Sequence, residues 1–521
     1  MLLINRLLWI GIALAMFAAT VVLFKPQRAG SGRRWLRAGK ALAVAPASLR
    51  LAPTRRILPA FSARTTLAQG WSLLRFDAKG VLVSVPFLIM LLLALANFLT
   101  NYSIAGMRFD STPYPLTYLM LEELDNGIGF LLIIVLLFYS GELIFKDRQA
   151  GMADVCDTLP MPAGVQLVAK AGALLAVIGV FLFSGVAVAI AIQCLKGGAA
   201  IEIGLYVQAT LLGSTYYALW AMAFLAIQRM VGHKITGHLL SLGLLASGTA
   251  LTSFGLEHPL WQFAALPTLT YSDMNGYGHL LEGWRWFALY SGFGAVAMLI
   301  LAQTMAHRGA PPRLRPRLAI AVQRLNGMAG AGLALALTGL LASGAWIFYN
   351  TQVLNHFESS AATLDRQAKY ELKYRKYLAL ANPSLTRVTT DVAIYPAERR
   401  VRISGSYELE NKTASAMDML AIQLDRDAVT TLRRLPAHRV LVDDQNQGFR
   451  VIQLDQPLPA GAHFALDFIV EVSNPGFSSS TSPGLIHHNG SMFASENYFP
   501  KFGYVQALEI EDRNERRDRG L

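Results

Sequence analysis

Eight stretches of predominantly apolar residues run through this chain, near 6 to 24, 80 to 100, 127 to 145, 171 to 195, 203 to 228, 235 to 256, 286 to 306 and 327 to 349. A hydrocarbon core about 30 Å thick is crossed by roughly 20 apolar residues in an α-helix. Each stretch is therefore read as one transmembrane helix, and the fold class as a polytopic α-helical membrane protein. Composition agrees, because 53% hydrophobic and only 15% charged residues lie outside the range of ordinary soluble domains. Arg6 ahead of the first stretch would suit a signal peptide, but "FKPQRAGSGRRWLR" behind it offers no small-residue cleavage site and reads as a stop-transfer flank.

The formal charge of +12 raises the question of nucleic acid, and the placement of the charges answers it. Residues 25–79 hold twelve Lys or Arg against one acid, Asp77. With alternating spans, segments 146–170, 229–234 and 307–326 fall on the same side and add ten more basic residues. The opposite loops, 101–126, 196–202 and 257–285, hold only Arg108, Lys196 and Arg285 against eight acids. Such asymmetry is the positive-inside pattern, so the basic segments are assigned to the cytoplasm, with no nucleic-acid partner. Residue 1 and everything after 349 then lie outside, and the first helix reads as the last span of an earlier block. Cys156 and Cys194 fall on opposite sides, which separates them too far for a disulfide.

After residue 349 the period changes. "LDRQAKYELKYRKYLAL" places Tyr370, Tyr374 and Tyr377 at helical spacing, an amphipathic stalk helix within 350–384 that Asn382-Pro383 ends. From 385 to 521 the pattern alternates with period two: Val401, Ile403, Tyr407 and Leu409 in one run, and Phe464, Leu466, Phe468, Val470 and Val472 in another. Turn sequences such as "DDQNQG" and "SNPG" separate the runs. This is a β-rich soluble domain, in which Asn411 and Asn489 are read as turn residues.

The most suggestive loop is "GELIFKDRQAGMADVCDTLPMPAGV". It offers a charged cluster (Lys146, Asp147, Arg148), Gly151, a short amphipathic segment, and Pro160 and Pro162 as a stop. On spacing alone the loop reads first as a solvated connector, and it is also suited to a small helix that docks onto a soluble partner. It resembles the coupling-helix segment of type-2 ABC exporter permeases, although Lys-Asp-Arg stands where many members have an Arg-Glu pair. The six spans within 80–306, preceded by "TLAQGWSLLRFDAKG" in the 25–79 linker, are similar to that family's elbow helix and six-helix domain. The resemblance implies a separate ABC ATPase subunit that binds ATP, since the chain has no G-x-x-x-x-G-K-[ST]. It also implies a dimeric permease arrangement or pairing with a first permease block.

"NGSMFASENYFPKFGYVQALEIEDRNERRDRGL" and "TDVAIYPAERRVRISGSYELENKT" are similar to the N-terminal β domain of gluzincin zinc aminopeptidases, and the whole chain resembles bacterial inner-membrane proteins that fuse a permease block to such a periplasmic domain. In that family zinc sits on a downstream H-E-x-x-H helix, which this sequence lacks, so the resemblance implies a fragment without its catalytic half. No catalytic, metal or cofactor residue is assigned. His487 and His488 are adjacent in a loop and read as polar loop residues, and Glu496 as structural. Glu142 and Lys170, near the ends of two spans, are read as snorkelling to the interface. Two rival functions stand beside the permease: a membrane-anchored aminopeptidase and a non-catalytic peptide-binding sensor or scaffold.

Overall fold

Helix α1, Ala63–Leu82, begins at Ser62. The Ser62 hydroxyl accepts from Thr65 N at 3.3 Å while Ser62 N donates to Thr65 Oγ1 at 3.0 Å, a capping box that satisfies two otherwise orphaned groups. The computed structural model describes residues 62–105, 114–158, 161–197, 200–306, 314–479, 486–492 and 495–521. The expected first span and most of the basic linker lie outside them. Leu67, Trp71 and Phe76 of α1 are exposed, whereas Asp77, Ala78 and Val81 are buried. The backbone breaks at Val83 and Ser84, because Pro86 has no N–H and its ring would collide with the Leu82 carbonyl. Helix α2 therefore starts at Val85, later than the expected 80, and runs to Ala105.

The chain then forms α3 (Thr117–Gln149), the short α4 (Ala153–Thr158), α5 (Ala163–Lys196), α6 (Ile203–Met230), α7 (Lys234–Ser253), α8 (Leu281–Thr304), α9 (Leu314–Arg324) and α10 (Met328–Phe348). Among the described residues, seven of these helices are long and apolar enough to cross a membrane: α2, α3, α5, α6, α7, α8 and α10. They match the last seven expected spans in order. Helix α3 is much longer than its apolar run: 33 residues span about 50 Å at 1.5 Å per residue. Its first turns, expected as loop, are held by neighbours. Gln193 of α5 donates to Pro115 O at 2.7 Å and Thr117 Oγ1 at 3.2 Å, and Tyr217 of α6 donates to Asp125 at 3.1 Å.

The C-terminal part is a pair of four-stranded antiparallel sheets. Strands β1 (Ser384–Tyr395), β2 (Arg400–Glu410), β3 (Met417–Gln423), β4 (Val429–Arg433), β5 (His438–Asp444), β6 (Phe449–Leu458), β7 (His463–Ser473) and β8 (Lys501–Phe502) pair in the orders β1-β2-β7-β4 and β5-β6-β3-β8. The two period-two runs become β2 and β7, whose Val401, Ile403, Tyr407, Leu409, Leu466, Phe468, Val470 and Val472 form one core. Gly405 sits opposite Phe468, and a Cβ there would lie 2.1 Å from the ring. The missing side chain lets Phe468 lie against Tyr407, with ring centroids 4.7 Å apart.

Helix α11, Ser360–Tyr374, is amphipathic as expected, but it packs on the second sheet rather than standing off as a stalk. Tyr370 stacks on Tyr504 at 4.9 Å and accepts from Val505 N at 3.0 Å, while the Tyr374 hydroxyl donates to Asp444 at 2.5 Å. Aromatic bodies with polar tips bury well where each tip finds a partner. Asn411, expected at a turn, is fully buried there, donating to Ser415 O at 2.8 Å and Leu458 O at 2.9 Å.

Candidate functional site

The charged triplet is not in a loop. Lys146, Asp147 and Arg148 form the last turn of α3, because nothing in "LIFKDRQ" breaks a helix. The break comes at Gly151, whose φ of 69° is the left-handed region that glycine enters without a Cβ penalty. Gly151 N bonds Arg148 O at 3.1 Å and Met152 N bonds Asp147 O at 2.9 Å, the Schellman ending of a helix. The six residues of α4 follow and none of them is buried. Met152 and Val155 are apolar and exposed. Pro162 caps the start of α5, and Pro160 lies outside the described residues.

Beneath this turn lies an ion cluster that joins three helices. Lys146 pairs with Asp77 of α1, and Lys170 of α5 lies 3.6 Å from Asp77 and 3.8 Å from Asp147. The Lys170 ammonium also donates to Leu143 O. Side-chain exposure is 2% for Asp77 and 6% for Lys170. Lys170 thus turns inward instead of snorkelling, since two carboxylates await it there and a buried ammonium needs paired charge. Two lysines and two aspartates leave the cluster neutral. Glu142 pairs with Lys234 at the start of α7, whose ammonium lies 5.7 Å above the Phe138 ring. The sequence signal for Asp77 is its place as the single acid among the twelve basic residues of 25–79.

At the opposite end of the bundle the β domain rests on the segment between α7 and α8 and on the first turns of α8. Arg399 pairs with Glu282 at 2.6 Å, Phe477 meets Phe287 at 6.4 Å, and Ser360 N donates to Glu257 at 2.7 Å. That bond from Ser360 holds the Glu257 carboxyl below its ordinary range. A cavity of about 470 Å³ at this junction is lined by His279, Glu282, Arg399, Asp425, His487 and Asn497. Burial pushes the Asp425 carboxyl up and the His279 imidazole down. A second cavity, about 570 Å³, lies between α6 and α7 and is lined by Tyr216, Trp220, Ser247, Thr252, Gln262 and Phe263. Neither cavity has a local sequence signature, because each is assembled from segments far apart in the chain.

His487 is buried beside His279, with rings 5.4 Å apart, whereas His488 is exposed, so the adjacent pair diverges. Among the described residues no group of three or more His, Cys, Asp or Glu could hold a metal ion. The side chain of Glu496 lies outside the described residues. No protein-family profile matches this sequence, and no curated protein shows significant similarity to it.

Proposed function

We propose that the chain is the permease subunit of an ATP-driven type-2 exporter in a bacterial inner membrane, carrying an aminopeptidase-like β domain on the periplasmic side. The reading rests on α4: an exposed short helix, between a glycine turn and Pro162, rooted on a neutral ion cluster whose Asp77 and Lys170 are buried. A partner ATPase that grips α4 moves a lever, because Asp77, Lys146, Asp147 and Lys170 tie α1, α3 and α5 at its base. Force on α4 is thereby carried into two spans and the interfacial helix together. Binding there does work only where the contact differs in free energy between two arrangements of the spans. The basic linker and loops face the cytoplasm under this reading, as does the ATPase. The permease unit is completed by a second copy or another six-span block.

The test is co-purification of the native ATPase with the full chain and with a chain lacking residues 151–160, each checked for monodispersity in detergent. The deletion is expected to abolish recovery of the ATPase. Equal recovery from both chains reduces α4 to a solvated connector and removes the argument for a transporter.

A further inference from the structure

The junction cavity, about 470 Å³, has the size of a small-molecule site, about 300–1,000 Å³. Distant parts of the chain border it: Glu282 in the first turn of α8, Leu354 beyond α10, Asp425, Arg426 and Asp427 between β3 and β4, and Asn474 after β7. Leu354, Val472 and Phe477 add apolar wall.

Three carboxylates line this cavity, and two of them have guanidinium partners. Glu282 pairs with Arg399 at 2.6 Å and Asp427 with Arg426 at 3.6 Å. Asp425 is half-buried and makes no ion pair among the described residues. Its Oδ1 accepts from Asp427 N at 2.8 Å. Arg426, the nearest guanidinium in sequence, is held away by Glu358 at 2.7 Å. Burial pushes the Asp425 carboxyl up, and the backbone bonds from Asp427 and Ala428 and the charge of Arg426 offset this only in part. A partly desolvated carboxylate with no paired charge is a net cost to the fold. Asn474, on the same cavity, has its Oδ1 without a hydrogen-bond partner among the described residues.

We infer that this cavity binds a primary ammonium group, with Asp425 as its counter-ion and the apolar wall against the carbon chain that bears it. The chemistry of the wall narrows the choice of cation. A metal ion takes several oxygen or nitrogen ligands at once, and among the described residues no group of three or more His, Cys, Asp or Glu could hold one. A guanidinium prefers both oxygens of a carboxylate, and Oδ1 of Asp425 is already engaged by the backbone. An ammonium is a compact point charge that one free oxygen and neighbouring amide acceptors satisfy. Two sources present this group: a soluble amine, and an aminophospholipid whose headgroup reaches the cavity where α8 and α10 end. The site rests on the seating of the β domain and stands apart from any ATPase.

The experiment follows thermal unfolding of the full chain in neutral detergent at fixed ionic strength. A ligand that binds only the folded chain raises the midpoint as its concentration exceeds its dissociation constant. Butylamine is compared with butyltrimethylammonium, and phosphatidylethanolamine with phosphatidylcholine; in each pair only the first has N–H groups to donate. The primary ammonium of at least one pair is expected to raise the midpoint more than its quaternary counterpart. Asp425→Asn keeps an oxygen for Asp427 N and removes the buried charge, so it should fold, and it should raise the concentration for a half-maximal shift about tenfold, the loss of one charge-assisted bond. A response in the butylamine pair alone assigns a soluble amine, and one in the phospholipid pair alone assigns a lipid headgroup. Equal shifts within both pairs overturn the site on the native chain, without recourse to a variant. Shifts unchanged in Asp425→Asn overturn it as well. No outcome depends on ATPase binding, so this site and the transporter reading fail separately.

Discussion

Asp77, near the end of α1, accepts from the ammonium of Lys146, 69 residues further along the chain in the last turn of α3. The pair places a carboxylate from α1 under the root of α4. Lys170 shares that carboxylate at 3.6 Å.

Removing the carboxylate is the sharpest probe of the cluster. Asp77→Ala leaves Lys146 and Lys170 with Asp147 alone, and Lys170 has nowhere to rehydrate. Breaking a buried pair in this way costs about 3–5 kcal/mol. A clear drop in the midpoint of thermal unfolding in detergent is expected, with partial recovery in Asp77→Ala/Lys170→Met, where the stranded ammonium is gone. An unchanged midpoint in the single variant would show that water reaches Lys170.

The two native cysteines report orientation. Cys156 lies on α4, ahead of α5, and Cys194 is exposed near the far end of that helix. The 34 residues of α5 hold its ends about 50 Å apart. Under the proposed topology a membrane-impermeant maleimide added to spheroplasts labels Cys194, and labels Cys156 only after lysis. Single Cys→Ser variants assign each signal. The reverse order would invert the assignment of the basic loops and of the β domain.

Acid is expected to loosen the contact between the bundle and the β domain. His258 accepts from Leu260 N at 3.2 Å through Nδ1, and its Nε2 faces Thr351 Oγ1 at 2.9 Å. This is the bonding of a neutral ring protonated on Nε2. Burial lowers its pKa, and likewise that of His279. A histidine whose folded pKa lies below the unfolded value, about 6.5, contributes stability that is present above that value and lost as pH falls through the folded one. Amide exchange in 257–283 and 349–357, corrected for intrinsic rates, should be faster at pH 5.5 than at pH 7.5. His258→Gln should flatten the dependence. Protection equal at both pH values in the native chain would mean that these imidazoles stay uncharged or find a counter-ion.

Much of this architecture is legible locally. An apolar run either spans a bilayer or does not, and its length is written in consecutive residues. Alternation along β2 and β7 likewise sorts core from solvent within each strand, so seven of the expected spans and both period-two runs reappear in the structure. Element ends are less legible, because tertiary partners move them. Helix α3 gains its early turns from Gln193 and Tyr217, and keeps Lys146, Asp147 and Arg148 helical up to Gly151.

The direction and partner of a charged or aromatic side chain were left to the tertiary structure. Lys170 looks like a snorkelling residue in sequence and becomes buried only because α1 delivers Asp77 beside it. Tyr370 and Tyr374 mark an amphipathic helix, but Phe449 and Tyr504 decide that their face is sealed against a sheet. Arg399 meets Glu282 across 117 residues, a pairing that neither local sequence contains. Propensity and hydrophobic period act over a few residues, so the sequence alone determined the spans and strands; the neutrality of the ion cluster and the seating of the β domain depend on groups that only folding makes neighbours.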